Sequence, residues 1–164
     1  MDFEIVIEKG LTPTQAAKKL TESGKFEVCL WEGDEHDLDF LDRQLRPEPR
    51  ASNANGYKIT GAGIHGNEEM FNVSDILEAD RLFPDFPTMY MTLTELMVLV
   101  EKTSEFEWPA LFKCLIHQGV VCPHSQFMDG GLAGVAIRSG ELRILWVDRE
   151  KTRGMAFVQV TEVS

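Results

Sequence analysis

The sequence predicts a single α+β domain over residues 1–164, with an N-terminal strand-helix-strand, two to four short helices in the middle and a C-terminal three-stranded antiparallel meander. Three observations predict it. At the start, Phe3, Ile5 and Ile7 alternate with Asp2, Glu4 and Glu8, the period of a half-buried strand. Two Thr-x-x-Gln/Glu signatures, Thr12–Gln15 and Thr92–Glu95, mark helix starts at which the threonine hydroxyl and the Gln or Glu side chain satisfy each other's backbone amides. Near the end, Leu132–Ile137 and Glu141–Val147 flank Ser139-Gly140, a hairpin signal. A length of 164 residues with 43% hydrophobic and 26% charged content suits one globular domain.

Taken in order, the first strand leads to Thr12 as N-cap, with Pro13 at the first helical position and Gly24 where the helix stops. Phe26–Trp31 is a second strand. Asp37–Leu45 predicts a short helix, with Leu38, Leu41 and Leu45 at helical spacing. Pro47 to Gly56, with two prolines and a closing Asn-Gly, reads as a mobile loop inside the domain. Tyr57–Ile64 is a strand interrupted by glycines, and Val73–Phe83 a helix built on Ile76, Leu77 and Leu82 that ends before Pro84 and Pro87. Behind the Thr92 cap, Leu93, Leu96, Met97 and Val100 form an apolar stripe. Pro109 and Gly119 bracket a helix over Ala110–Gln118, and Met155–Val163 is expected as the third strand of the meander. No internal repeat or low-complexity tract is visible.

The formal net charge of −11 is unusual for this size and unevenly spread. Residues 1–50 hold 12 acids against 7 bases, residues 51–110 hold 10 against 3, and residues 111–164 hold 5 against 6. Such an excess repels phosphate backbones and anionic lipid, so neither direct nucleic-acid binding nor membrane binding is expected. Three cysteines, Cys29, Cys114 and Cys122, make no disulfide framework. The start, MDFEIVIEKG, has no signal-peptide pattern, and no apolar run approaches the length of a membrane span. The expected compartment is the reduced cytoplasm.

The strongest functional feature is Glu32–Asp42, which places Glu32, Asp34, Glu35, Asp37, Asp39 and Asp42 in eleven residues without a Lys or Arg. Trp31, Leu38, Phe40 and Leu41 interleave with these acids. A second acid-rich stretch, 68–107, contains ten acids against Arg81 and Lys102. Charge steers a partner and desolvated aromatics anchor it, so the expected docking face comprises Glu32–Asp42, Glu68, Glu69, Glu105 and Glu107, with Trp31, Phe40 and Trp108 as anchors.

Other patterns point to chemistry more weakly. Gly61-Ala62-Gly63-Ile64-His65-Gly66 matches a dinucleotide fingerprint in letters, but Asn67, Glu68 and Glu69 follow it, and two carboxylates oppose a phosphate. Cys114, His117, Cys122 and His124 are zinc-ligand types in a spacing that matches no common structural zinc pattern. Cys122 with His124 or His65, and Ser125 with His124 and Asp129, are formal nucleophile–base sets without a nucleophile elbow. Asp34–Asp42 offers oxygens but lacks the glycine and terminal glutamate of a calcium loop. The acid pairs Asp37/Asp39, Glu68/Glu69 and Glu105/Glu107 read as solvated.

In composition, a small, acidic α+β chain without a catalytic signature is similar to bacterial immunity proteins and phage-encoded inhibitors. That resemblance implies electrostatically steered occlusion of a toxin, a nuclease or a nucleic-acid-binding complex; it covers no motif and carries over no residue. The expectation is therefore a non-enzymatic acidic protein that inhibits or sequesters a basic protein partner, with no cofactor and no metal. One alternative is a small hydrolase or metal-dependent enzyme using His65 or the Cys114/His117/Cys122/His124 cluster. Another is a structural or regulatory subunit of an oligomer.

Overall fold

Both threonine caps form as the sequence predicts. Thr12 Oγ1 accepts from Gln15 N at 3.2 Å while Thr12 N donates to Gln15 Oε1 at 3.0 Å, opening helix α1 over Pro13–Glu22. Thr92 and Glu95 make the same reciprocal pair at the start of a second long helix, Leu93–Lys102. A computed structural model describes residues 3–31, 36–50, 55–65, 90–152 and 155–163. The expected helix Val73–Phe83 lies outside the described residues.

Strand β1 (Glu4–Ile7) precedes α1, and β2 (Glu27–Leu30) follows it. Helix α2 (Phe40–Gln44) is shorter than the predicted Asp37–Leu45 but buries Leu41 as expected. Next come β3 (Tyr57–His65), α3 (Leu93–Lys102), a 3-10 turn at Glu105–Glu107 and α4 (Ala110–Gln118). The chain finishes with β4 (Val120–Gln126), β5 (Leu132–Arg138), β6 (Glu141–Val147) and β7 (Phe157–Val163).

The strands form two sheets. In the first, β3 lies between β1 and β7, antiparallel to both, with Ile59 opposite Ile5 on one side and Glu162 on the other. In the second, the order is β2-β6-β5-β4; β2 runs parallel to β6 and the other pairs are antiparallel. The antiparallel meander is thus β4-β5-β6. The strand expected as its third member crosses to the first sheet as β7, and Val120–Gln126 takes its place. Pro123 disguises β4 in the sequence, because proline cannot donate to a ladder. Here it falls inside a register shift between Cys122 and Gln126, where no ladder bond is required of it. The chain then passes from one sheet to the other beside β4, where Val121 N donates to Ala156 O at 2.8 Å.

Helix α3 is the centre of the packing. Its first eight residues, Leu93 to Val100, are all buried, on every face of the helix. It touches α1, β1 and β5, and so packs against strands of both sheets. Ala16 and Ala17 on the buried face of α1 leave room for a close approach of the two helices. The principal core runs continuously through α1, α3, α4 and both sheets. A smaller cluster of Tyr90, Val121, Leu132, Val147 and Phe157 uses the alternate residues of β4 and β5, so the middle of the second sheet is covered on both faces.

One turn glycine is irreplaceable on steric grounds. Gly56 has φ of +76°, and a Cβ there would lie 2.5 Å from Ile7 O and 3.1 Å from Lys9 N, both backbone atoms. Gly24 has a similar φ of +78° but open space around it. Gly24→Ala should therefore lower unfolding free energy by about 1 kcal/mol through conformation alone, and Gly56→Ala by about 3 kcal/mol. Urea denaturation of the two variants checks this; equal losses would show that the β1 backbone yields to the added methyl.

Candidate functional site

The acidic segment that follows β2 is pinned to α1 through Leu38, Asp39 and Asp42. Asp42 Oδ1 accepts from Thr14 N at 3.0 Å, Thr14 Oγ1 accepts from Asp42 N at 3.1 Å, and the same hydroxyl donates to Leu38 O at 2.9 Å. Asp39 pairs with Lys18 at 2.8 Å, and Asp37 with Arg43 at 2.7 Å. The hydrogen bond and charge of Lys18 hold the Asp39 carboxyl below its ordinary range and raise the lysine in return. Trp31 and Phe40, both half-buried, meet edge to face with centroids 5.4 Å apart, and Trp31 also stands 5.2 Å from Phe127. Three of the acids thus have partners within the chain, and the two aromatics pack against each other. Glu32, Asp34, Glu35, Glu68 and Glu69 lie outside the described residues.

The third expected contributor stands on a different shoulder. Ser104 caps the turn Glu105–Glu107: its hydroxyl accepts from Phe106 N, and Glu107 Oε2 accepts from Ser104 N at 2.6 Å. This tight turn leaves Glu105 and Glu107 exposed and carries Phe106 outward to 94% exposure. Trp108 goes the other way. It is 7% exposed, packs edge to face on Phe112 and donates from Nε1 to Thr103 Oγ1 at 2.7 Å. Trp108 is therefore part of the framework, and the outward aromatic is Phe106, which sequence reasoning missed. The signal was Ser104-x-x-Glu107, a capping box whose turn decides which of the two aromatics faces solvent. Beside the turn lies a cleft of about 460 Å³ lined by residues including Lys25, Phe26, Phe106, Trp108, His117 and Ile137. Lys25 is held at its rim by the carbonyls of Glu101 and Thr103.

The most concentrated chemistry is in the interior. Glu95, fully buried, accepts from Arg50 Nε and Nη2 at 2.7 Å each, from the Tyr57 hydroxyl at 2.8 Å and from Thr92 N at 2.9 Å. Arg50 also donates to Tyr90 O at 3.0 Å, from a backbone with φ of +68°. A second carboxyl, Glu48, is 8% exposed and takes hydrogen bonds from the hydroxyls of Thr94 and Ser125. Ser125 Oγ in turn accepts from Leu93 N at 2.7 Å. Burial pushes the Glu48 carboxyl up and the charge of Glu95 adds to this, against the opposing hydrogen bonds of Ser125 and Thr94. Burial also pushes the Tyr57 hydroxyl up, reinforced by Glu95, so it remains a donor.

These placements decide what the residues can do. Ser125 is fully buried and engaged by Glu48, so it has no path to a substrate. His124 stacks near Tyr90, and Asp129 accepts from Trp146 Nε1 and Gly131 N, so no Ser125–His124–Asp129 relay forms. Cys122 is fully buried and its thiol is pushed well up by burial, which removes it as a nucleophile. Cys114 is exposed, His117 Nδ1 lies 2.6 Å from Ile137 O, and these residues do not gather with Cys122 and His124 into a metal-sized group. Gly61–His65 is part of strand β3, with a bulge at Gly61/Gly63 instead of a phosphate loop; Gly66 is outside the described residues. Among the described residues, no helix is long and apolar enough to cross a membrane.

Set against known proteins, the chain matches no family model, no curated protein and no solved structure.

Two outcomes follow from the interior. Because the folded pKa of Glu48 is raised above its ordinary value of 4.5, the ionised form is penalised at neutral pH, and that penalty lifts as pH falls towards 4.5. The stability of wild type minus that of Glu48→Gln should thus rise on acidification from pH 7 to about 4.5; a difference that is flat or falls across this window contradicts the assignment. With a thiol reagent, the folded protein should expose one fast cysteine, abolished in Cys114→Ser, and two more only on unfolding.

Proposed function

We propose that this chain is a non-enzymatic binding protein that inhibits or sequesters a basic protein partner such as a toxin, a nuclease or a nucleic-acid-binding complex. The observation that carries the reading is Phe106, almost wholly exposed between exposed Glu105 and Glu107 at the lip of a cleft. A large apolar side chain in water, flanked along the chain by two exposed carboxylates, combines an anchor with steering. The net charge of −11 supports a cationic partner. Burial of Ser125 and Cys122 supports binding over catalysis, and three cysteines outside any disulfide fit a reducing cytoplasm.

In this reading the shoulder Ser104–Trp108 makes the direct contact. Asp37, Asp39 and Asp42, already paired within the chain, stand outside that contact, and the unpaired acidic excess supplies the long-range field. The experiment compares wild type, Phe106→Ala and Glu105→Lys/Glu107→Lys as immobilised baits. They are challenged with the cation-exchange-retained and flow-through fractions of a cell lysate, at low and high salt. A partner from the retained fraction is expected, weakened roughly thirty-fold by Phe106→Ala, which is about 2 kcal/mol. The charge reversal should cost most at low salt. Equal capture by all three baits removes the shoulder from the interface, and capture from the flow-through alone removes the basic partner. Light scattering of the chain by itself distinguishes binding to a second copy.

A further inference from the structure

We propose that Glu27, Cys29 and His36 form a binding site for a divalent transition metal, zinc above all. Their three donor atoms, a carboxylate oxygen, Cys29 Sγ and an imidazole nitrogen, all lie within 4.8 Å of one another. Glu27 and Cys29 are two residues apart on β2, so the pleat projects both to one side of the sheet. His36 joins them from the turn ahead of α2. The separation of His36 Nδ1 from Glu27 Oε1 is 3.6 Å. Ligands of a tetrahedral zinc, at about 2.0–2.3 Å from the ion, stand about 3.3–3.7 Å from each other. The observed spacing therefore matches an edge of that polyhedron.

The donor set selects the ion. A thiolate and an imidazole favour zinc or another borderline-soft cation over calcium or magnesium, which take oxygen. Cys29 is 1% exposed, whereas the side chains of Glu27 and His36 are more than half exposed, so an ion reaches the site from the solvent side. On binding, the Cys29 thiol releases its proton to solvent and the thiolate, a neutral His36 and the Glu27 carboxylate supply three ligands, leaving a fourth position for water. The neighbouring cation, Arg143, stands beside Cys29 in the register and is engaged by Glu141 Oε2 at 3.1 Å and by Leu30 O at 3.0 Å. Ligation would tie the start of the Asp37–Asp42 stretch to the edge of the second sheet. The metal proposal is independent of the partner-binding reading.

Cobalt(II) serves as the spectroscopic probe on the full-length, metal-free protein. One equivalent should bind with the intense visible bands of tetrahedral cobalt and a thiolate-to-metal charge-transfer band, and zinc should displace it. Cys114→Ser should behave as wild type. Glu27→Gln and His36→Ala, both at exposed positions that leave the core intact, should each weaken binding at least tenfold, no less than the loss of an outer-shell partner costs, with unchanged circular dichroism. Cys29→Ser should abolish the charge-transfer band. No binding by the wild type, binding without a charge-transfer band, or undiminished affinity in both Glu27→Gln and His36→Ala overturns the proposal.

Discussion

Among the described residues, two carboxyl groups and one guanidinium share the interior, and the geometry around them ties together parts of the chain that are far apart in sequence. Glu95 draws Arg50 and Tyr57 onto the first turn of α3, while Glu48 reaches Thr94 on that turn and Ser125 on β4. One arginine neutralises one carboxylate, so an ionised Glu48 would leave a net negative charge in a medium that solvates it poorly. Burial and the charge of Glu95 push the Glu48 carboxyl up for that reason, while the hydrogen bonds from Ser125 and Thr94 favour the ionised form and oppose the rise. Breaking the Arg50–Glu95 pair from one side would strand a buried ion, a loss of about 3–5 kcal/mol in comparable cases. Arg50 makes that pair from a left-handed backbone with φ of +68°.

Local rules made much of the architecture legible. Thr12 and Thr92 announce their helices because capping is settled within four residues, and Pro109 and Gly119 delimit α4 for the same reason. Pairing over long distances was hidden. Nothing within β7 says that it will leave β6 for β3, and Pro123 argued against β4 until the bulge accommodated it. Glu95 was visible as a helix cap, but its partner Arg50 lies 45 residues away. At the surface, the acids were countable and their employment was not. Lys18 and Thr14 occupy two of them, which required knowing that α1 lies alongside α2, and Arg43 takes a third from within α2.

That local pairing changes how the charge is to be viewed. Asp37 and Asp39 are offset by cations within 3 Å, so their field beyond a Debye length is weak, while the unpaired excess elsewhere sets the long-range potential. Surface pairs of this kind add little stability. The Asp42–Thr14 exchange fixes position instead, and it holds the first residues of α2 to the N-terminal turn of α1.

The first sheet assembles from three segments separated by roughly fifty and ninety residues of chain, β1 at 4–7, β3 at 57–65 and β7 at 157–163. During synthesis β1 waits for β3, and β3 then keeps one edge open until every strand of the second sheet has been made. Folding is therefore dominated by non-local closure, which is slow, and the nascent chain carries an unpaired strand edge while the residues between β3 and β7 are made. Lys58 on β3 and Glu4 on β1 place charge along that early strand pair, a feature that discourages pairing with other chains while the last strand is still missing.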